Sequence, residues 1–144
     1  MLEKQLASWK DIIIDPVMVA SATDAYQPIE LKFEITRRCI EVLQKYNVPY
    51  YVFTKSILIK RDLELYKRYA GNCCVIWSIT TCNEKIKRII EPGTSPADKM
   101  FQVIEMFRKS GVLCAVNIDP IPYYHSLQIR NKIWSSLLIA AGKQ

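Results

Sequence analysis

The sequence predicts an α/β protein built on a parallel sheet, and three observations carry that expectation. Short apolar or β-branched runs alternate along the chain with segments of helical periodicity. The joins are short and marked by glycine, proline and asparagine. Polar clusters follow the strand segments, where ligands sit in parallel α/β architectures. Alternation of this kind implies right-handed crossovers and a sheet wound either open or around a barrel.

Each element has its own signal. Residues 3–10 read as the end of a helix. Residues 15–22, DPVMVASA, are a near-continuous apolar run, the pattern of a strand buried on both faces. Over 31–46, Ile35, Cys39, Val42, Leu43 and Tyr46 recur at helical spacing, with Arg37, Arg38, Glu41, Gln44 and Lys45 between them; Asn47 and Pro49 end that helix. Residues 50–56, YYVFTKS, are aromatic and β-branched and give a second strand. Asp62 is placed to cap a short helix through Tyr69, which Gly71 and Asn72 end.

Residues 73–81, CCVIWSITT, give the third strand, and Asn83 starts the next helix. EPGTSPADKM then breaks the chain and restarts it, with Ser95 as N-cap, Pro96 as first helical residue and Asp98 as the reciprocal carboxylate. Met100, Val103, Ile104 and Phe107 form the apolar stripe of that helix, and Gly111 closes it. Residues 112–122 give a fourth strand, and Ile133, Trp134, Leu137, Leu138 and Ala141 mark a last helix. No linker or low-complexity segment interrupts the order, so residues 1–144 are expected to form a single domain of about four β-α units.

Composition narrows the function classes. Half the residues are hydrophobic and 24% are charged, which is ordinary for a globular chain. No apolar run approaches the roughly 20 residues of a membrane span. The first ten residues carry charges throughout and do not read as a signal peptide, so a cytoplasmic location is expected. Five cysteines, Cys39, Cys73, Cys74, Cys82 and Cys114, include no CxxC pair and read as small apolar residues rather than a metal site. The net charge of +6 falls in pairs, Arg37-Arg38, Lys60-Arg61, Lys67-Arg68 and Lys87-Arg88, which read as solvated helix faces. That charge permits an anionic partner such as nucleic acid without indicating one.

The candidate site is the rim of strand ends. Thr23 and Asp24 follow the first strand, Thr54, Lys55 and Ser56 the second, Ser78, Thr80 and Thr81 the third, and Asp119 the fourth. Capping of the following helices accounts for some of these, Asp62, Thr81 and Asp24 among them. It does not account for Lys55, because a cation gains nothing at the positive end of a helix. Nor does it account for Gln27 followed by Pro28 and Glu30.

TDAYQPIE followed by TRR, then TKS with KRD close behind, then SITT leading to EPGT, resembles the radical S-adenosylmethionine (SAM) enzymes related to spore photoproduct lyase, often described as DNA-repair-photolyase-like. The resemblance runs from about residue 2 to about residue 142. It implies a partial TIM barrel around a SAM site. Full members hold a [4Fe–4S] cluster on a CxxxCxxC loop, and the reduced cluster cleaves SAM to a 5′-deoxyadenosyl radical. Photoproduct lyase uses that radical to reverse a thymine dimer in DNA. Carried over by position, Thr23 faces the methionine moiety of SAM, Lys55 meets its carboxylate and Ser78 lies near the same group. Asp24, Glu30, Arg37, Arg61, Glu91 and Asp119 also match family positions, either at the cofactor or in structural ion pairs such as Glu30 with Arg37 or Asp62 with Lys55. The candidate cofactor-binding residues are therefore Thr23, Asp24, Lys55, Ser78 and Asp119.

The sequence departs from the family at both ends. No CxxxCxxC occurs in these 144 residues, and three thiolates are needed to hold the cluster in the family's way. The chain opens in what should be the first helix after that loop. After IDPI, the family's proline-glycine turn is replaced by PYYHS, which contains His125, the only histidine and a surface or helix-start residue on this reading. Four strands without closure leave two edges and an inner face uncovered, so self-association or a cluster-bearing partner chain is expected. Three functions follow: a truncated radical SAM protein inactive alone, a split enzyme completed by a partner, or a binding module for SAM, a nucleoside or nucleic acid. No catalytic residue or metal ligand is assigned. An ordinary enzyme with Asp24 or Glu91 as general base lacks a nucleophile–base pair to support it.

Overall fold

A computed structural model describes residues 1–8 and 15–119. The ends of the first predicted helix at residues 9–10 and of the fourth strand at residues 120–122, together with His125 and the last helix over residues 133–141, lie outside the described residues.

Four strands, β1 (Val17–Val19), β2 (Tyr50–Thr54), β3 (Cys73–Ser78) and β4 (Leu113–Asn117), form one sheet in the order β1-β2-β3-β4, and all neighbours are parallel. The helices between them are α1 (Leu2–Ala7), α2 (Glu30–Phe33), α3 (Ile35–Lys45), α4 (Leu63–Lys67), α5 (Glu84–Ile90) and α6 (Ala97–Lys109). The fold is the expected α/β arrangement, a partial barrel-like sheet that does not close among the described residues.

Register explains which side is covered. Tyr50, Val52 and Thr54 stand beside Cys73, Val75 and Trp77, and all six are buried. Helices pack on this face: Tyr66 of α4 and Trp77 of β3 each meet the Phe107 ring at 5.5 Å between centroids. Ile40 and Leu43 of α3 and Met100, Val103 and Phe107 of α6 fill the same core. Each such side chain contributes roughly 1.5–3 kcal/mol by leaving water. The opposite face carries Met18, Tyr51, Phe53, Cys74, Ile76, Leu113 and Ala115, all half-buried or exposed. A strand in a parallel sheet is normally covered on both faces. Here one face is bare among the described residues.

Several local expectations are corrected. The first strand is three residues long, not eight, because Ala20 adopts a left-handed φ of 64° and turns the chain away. The helical pattern over 31–46 is two helices: Glu34, at φ 48°, separates α2 from α3. Glu30 makes this break stable, since its carboxylate accepts the amides of Ile35 and Thr36, both at 3.1 Å, and so caps α3 from upstream. Asp62 ends a 3-10 segment (Ile57–Asp62) and makes no side-chain cap for α4.

Ser95 does not cap α6 either. Its hydroxyl accepts the Ile57 amide at 3.0 Å, and the first amide of α6, at Ala97, donates instead to Glu84 at 2.8 Å. Asn83 caps α5 as expected, accepting from Lys85 and Ile86. Gly111, at φ 84°, closes α6 in the conformation that favours glycine.

Candidate functional site

The parallel register brings the carboxyl ends of all four strands to one rim, on the bare face of the sheet. There Met18, Phe53, Ser78 and Asn117 project side by side with the loop Ala20–Asp24, Lys55 and Asp119 to line an open cavity of about 530 Å³. All five candidate residues, Thr23, Asp24, Lys55, Ser78 and Asp119, line it. Thr23 and Asp119 are exposed, Asp24 and Lys55 half-buried, and Ser78 buried.

Their chemistry differs from their common address. Asp24 is engaged on both oxygens: Oδ1 accepts from the Tyr26 amide at 2.7 Å and from Thr54 Oγ1 at 2.8 Å, while Oδ2 accepts the Lys55 amide at 2.6 Å. It therefore builds the cavity wall by fastening the β1 loop to the end of β2. Ser78 is the reverse case. It is 7% exposed, and its hydroxyl makes no hydrogen bond with another described residue. Among the described residues only the Thr80 hydroxyl is both sealed from solvent and without a partner, so the Ser78 hydroxyl keeps access to the cavity it lines.

Lys55 is ion-paired with Glu91, whose second oxygen lies 3.3 Å from Lys87 Nζ. Burial pushes the Glu91 carboxyl up, but Lys55, the nearby Thr80 hydroxyl and Lys87 outweigh it and hold the group below the usual carboxylate range. Thr80 itself is fully buried, and its hydroxyl has no well-formed hydrogen bond among the described residues. Two ammoniums around one carboxylate give this trio a net positive charge, which faces Asp24 and Asp119 in the cavity lining.

The pairings expected for Glu30 with Arg37 and for Asp62 with Lys55 are not the ones formed. Arg37 reaches Asp62 at 2.8 Å, and Arg61 grips the same carboxylate with Nε and Nη2, both at 2.9 Å. Tyr26 donates to Asp62 at 3.1 Å and touches the Tyr66 hydroxyl at 3.0 Å, and Arg61 Nη1 donates to the Glu30 carbonyl at 2.8 Å. Tyr26 and Glu30 of TDAYQPIE, Arg37 of TRR, and Arg61 and Asp62 of KRD thus meet in one buried knot that locks the β1 loop onto α3 and α4.

Lys87, expected with Arg88 on a solvated face, is instead 2% exposed. Residue-by-residue reading missed Phe53 and Asn117 as well. Their signal is register: both share the strand face of Ser78, which alternation along β2 and β4 would have shown.

The cysteines form no cluster. Among the described residues none of the five forms a disulfide, and no group of three His, Cys, Asp or Glu residues is arranged for a metal. Burial pushes the Cys73 thiol up to about 11 and the Cys114 thiol up to about 12, so both stay protonated near neutral pH. No described helix is long and apolar enough to cross a membrane.

The fold and site define an open parallel α/β chain with a polar cavity at its strand ends. No protein-family model matches the chain, and no solved structure does. An uncharacterized protein of Acidianus two-tailed virus is 30% identical over 105 residues, 73% of this chain and 34% of that protein. An uncharacterized protein of Methanocaldococcus jannaschii is 29% identical over 105 residues, covering 73% of this chain and 40% of its own length. One from Mycobacterium bovis is 26% identical over 121 residues, 83% of this chain and 35% of that protein. The chain thus spans between a third and two-fifths of the length of these curated relatives.

Proposed function

We propose that these residues are the SAM-binding middle of a protein resembling the spore photoproduct lyase-like radical SAM enzymes. The observation that carries this reading is the convergence of Thr23, Lys55, Ser78 and Asp119, from four separate strand ends, on one cavity. The donor set suits the amino-acid end of SAM. Lys55 and Ser78 would hold its carboxylate, Asp119 its ammonium, and Met18 and Phe53 the methylene and sulfur segment. Asp24 fixes the loop that carries Thr23.

A [4Fe–4S] cluster does not fit the thiols present. They are spread over α3, β3, the segment after β3 and β4, without the spacing of a cluster loop. The proposed activity of these 144 residues is therefore binding. The sheet face left bare among the described residues, and the edge strands β1 and β4 there, support completion by further strands from another copy or a cluster-bearing chain.

Titration calorimetry with SAM tests the reading. Saturable binding that weakens at least about tenfold in Lys55→Ala supports it. Absence of heat, or equal affinity in the variant, removes it.

A further inference from the structure

Among the described residues Lys87 is the one fully buried cation, and the proposed function leaves it without a role. It projects from α5 beside Met100 of α6, with Nζ 4.0 Å from the thioether sulfur and 3.3 Å from Glu91 Oε2. Oε1 of the same carboxylate is held by Lys55. The Glu91 side chain is only 9% exposed, whereas Lys55, at 30%, lines the cavity. Neither Glu91 nor Lys87 lines it.

One buried carboxylate thus serves two ammoniums, one in the core and one at the site. A buried carboxylate stripped of its only cation is strongly unfavourable. With a second cation in place, one of the two can depart without that penalty. We propose that Lys87 is a positioning residue that frees Lys55 to exchange Glu91 for an anion in the cavity. Glu91 parks Lys55 at the rim in the absence of ligand, and Lys87 keeps Glu91 neutralised when Lys55 turns to the ligand. The identity of the anion as the SAM carboxylate rests on the reading above. The sharing of Glu91 rests on geometry alone.

Two measurements separate these. The first is calorimetry with SAM and with 5′-methylthioadenosine, which lacks the carboxylate. Lys87→Met is expected to weaken SAM binding by roughly tenfold, because Lys55 becomes the sole cation on Glu91. Binding of 5′-methylthioadenosine stays unchanged, and Lys87→Met/Glu91→Gln, with nothing left to hold Lys55, binds SAM at least as tightly as the unmodified chain. A parallel loss for both ligands, or a doubly changed chain that binds SAM no better than Lys87→Met, overturns the proposal.

The second measurement needs no ligand. In thermal unfolding, Lys55→Met/Lys87→Met should lose roughly 5 °C or more beyond the sum of the single losses, since only the double change leaves Glu91 bare. Additive losses would overturn the sharing itself. If the unmodified chain binds no SAM, the functional reading fails while this cycle still decides whether Glu91 is shared.

Discussion

Asp24 Oδ2 accepts the backbone amide of Lys55 at 2.6 Å, and Oδ1 of the same carboxylate accepts Thr54 Oγ1 at 2.8 Å. One side chain behind β1 therefore sets where the end of β2, and with it the Lys55 side chain, enters the cavity. Asp24 is therefore expected to shape the site, and Asp119 is the acidic group of the rim proposed to meet a ligand.

Asp24→Ala should accordingly act on stability and on binding together. Removing an acceptor of three hydrogen bonds costs about 2–3 kcal/mol, and the freed β2 end carries Lys55 out of register with Ser78. Urea unfolding measures the first effect and SAM calorimetry the second. Loss of binding with unchanged stability would instead make Asp24 a direct ligand contact.

The Asp62 knot is structural, and its variants should separate by charge. Asp62→Ala leaves Arg37, Arg61 and Tyr26 without their shared partner and should cost roughly 3–5 kcal/mol. Tyr66→Phe removes only the hydroxyl contact with Tyr26 and should cost about 1 kcal/mol. Chemical denaturation of both variants checks the ranking.

Ala20 sits at φ 64° behind β1. Left-handed backbone costs a non-glycine residue roughly 1–2 kcal/mol, whereas glycine adds unfolded-state entropy worth about 0.4–1 kcal/mol. Ala20→Gly should therefore be neutral to stabilising by up to about 1.6 kcal/mol. Ala20→Val, β-branched in the same conformation, should destabilise, and thermal melts of the pair decide it.

The pH limits follow from groups of opposite sign. Burial raises the Tyr26, Tyr50 and Tyr66 hydroxyls above their ordinary value of 10.0. Unfolded tyrosines lose protons near pH 10 while the folded ones keep them, so stability is intact below that pH and falls as pH rises above it. Glu91 is the acid counterpart. Burial pushes it up, but its two lysines win and hold it below its ordinary 4.5, so its contribution is present above that pH and fades as pH falls through the lowered value. Melting temperatures between pH 3 and pH 11, compared with Glu91→Gln and Tyr66→Phe, test both limbs.

Much of the fold was legible in the sequence. Aromatic and β-branched runs located β2 and β3, and Asn83 and Gly111 marked helix ends because each acts locally, Asn83 through its side chain on the amides of Lys85 and Ile86 and Gly111 through its own backbone. Polar groups that act across the fold were not legible. Ser95 looks like a local cap but bonds Ile57, thirty-eight residues away, and Glu84 does the capping from the preceding helix. Ion pairs failed for the same reason: sequence supplies the charges, and only the packing of α3 against the 3-10 segment (Ile57–Asp62) joins Arg37 to Asp62. At the cavity, strand-end position in the sequence and the lining of the folded chain name the same five residues. Position alone could not show that Asp24 is engaged by Tyr26, Thr54 and Lys55, because that depends on where the neighbouring strand ends.

The most direct test is an amide NMR titration of the chain with SAM. The account predicts that the shifts concentrate at Thr23, Lys55, Ser78, Asn117 and Asp119, with Arg37, Asp62 and Tyr66 little changed. Shifts centred away from the four strand ends, or none at saturating SAM, would contradict it.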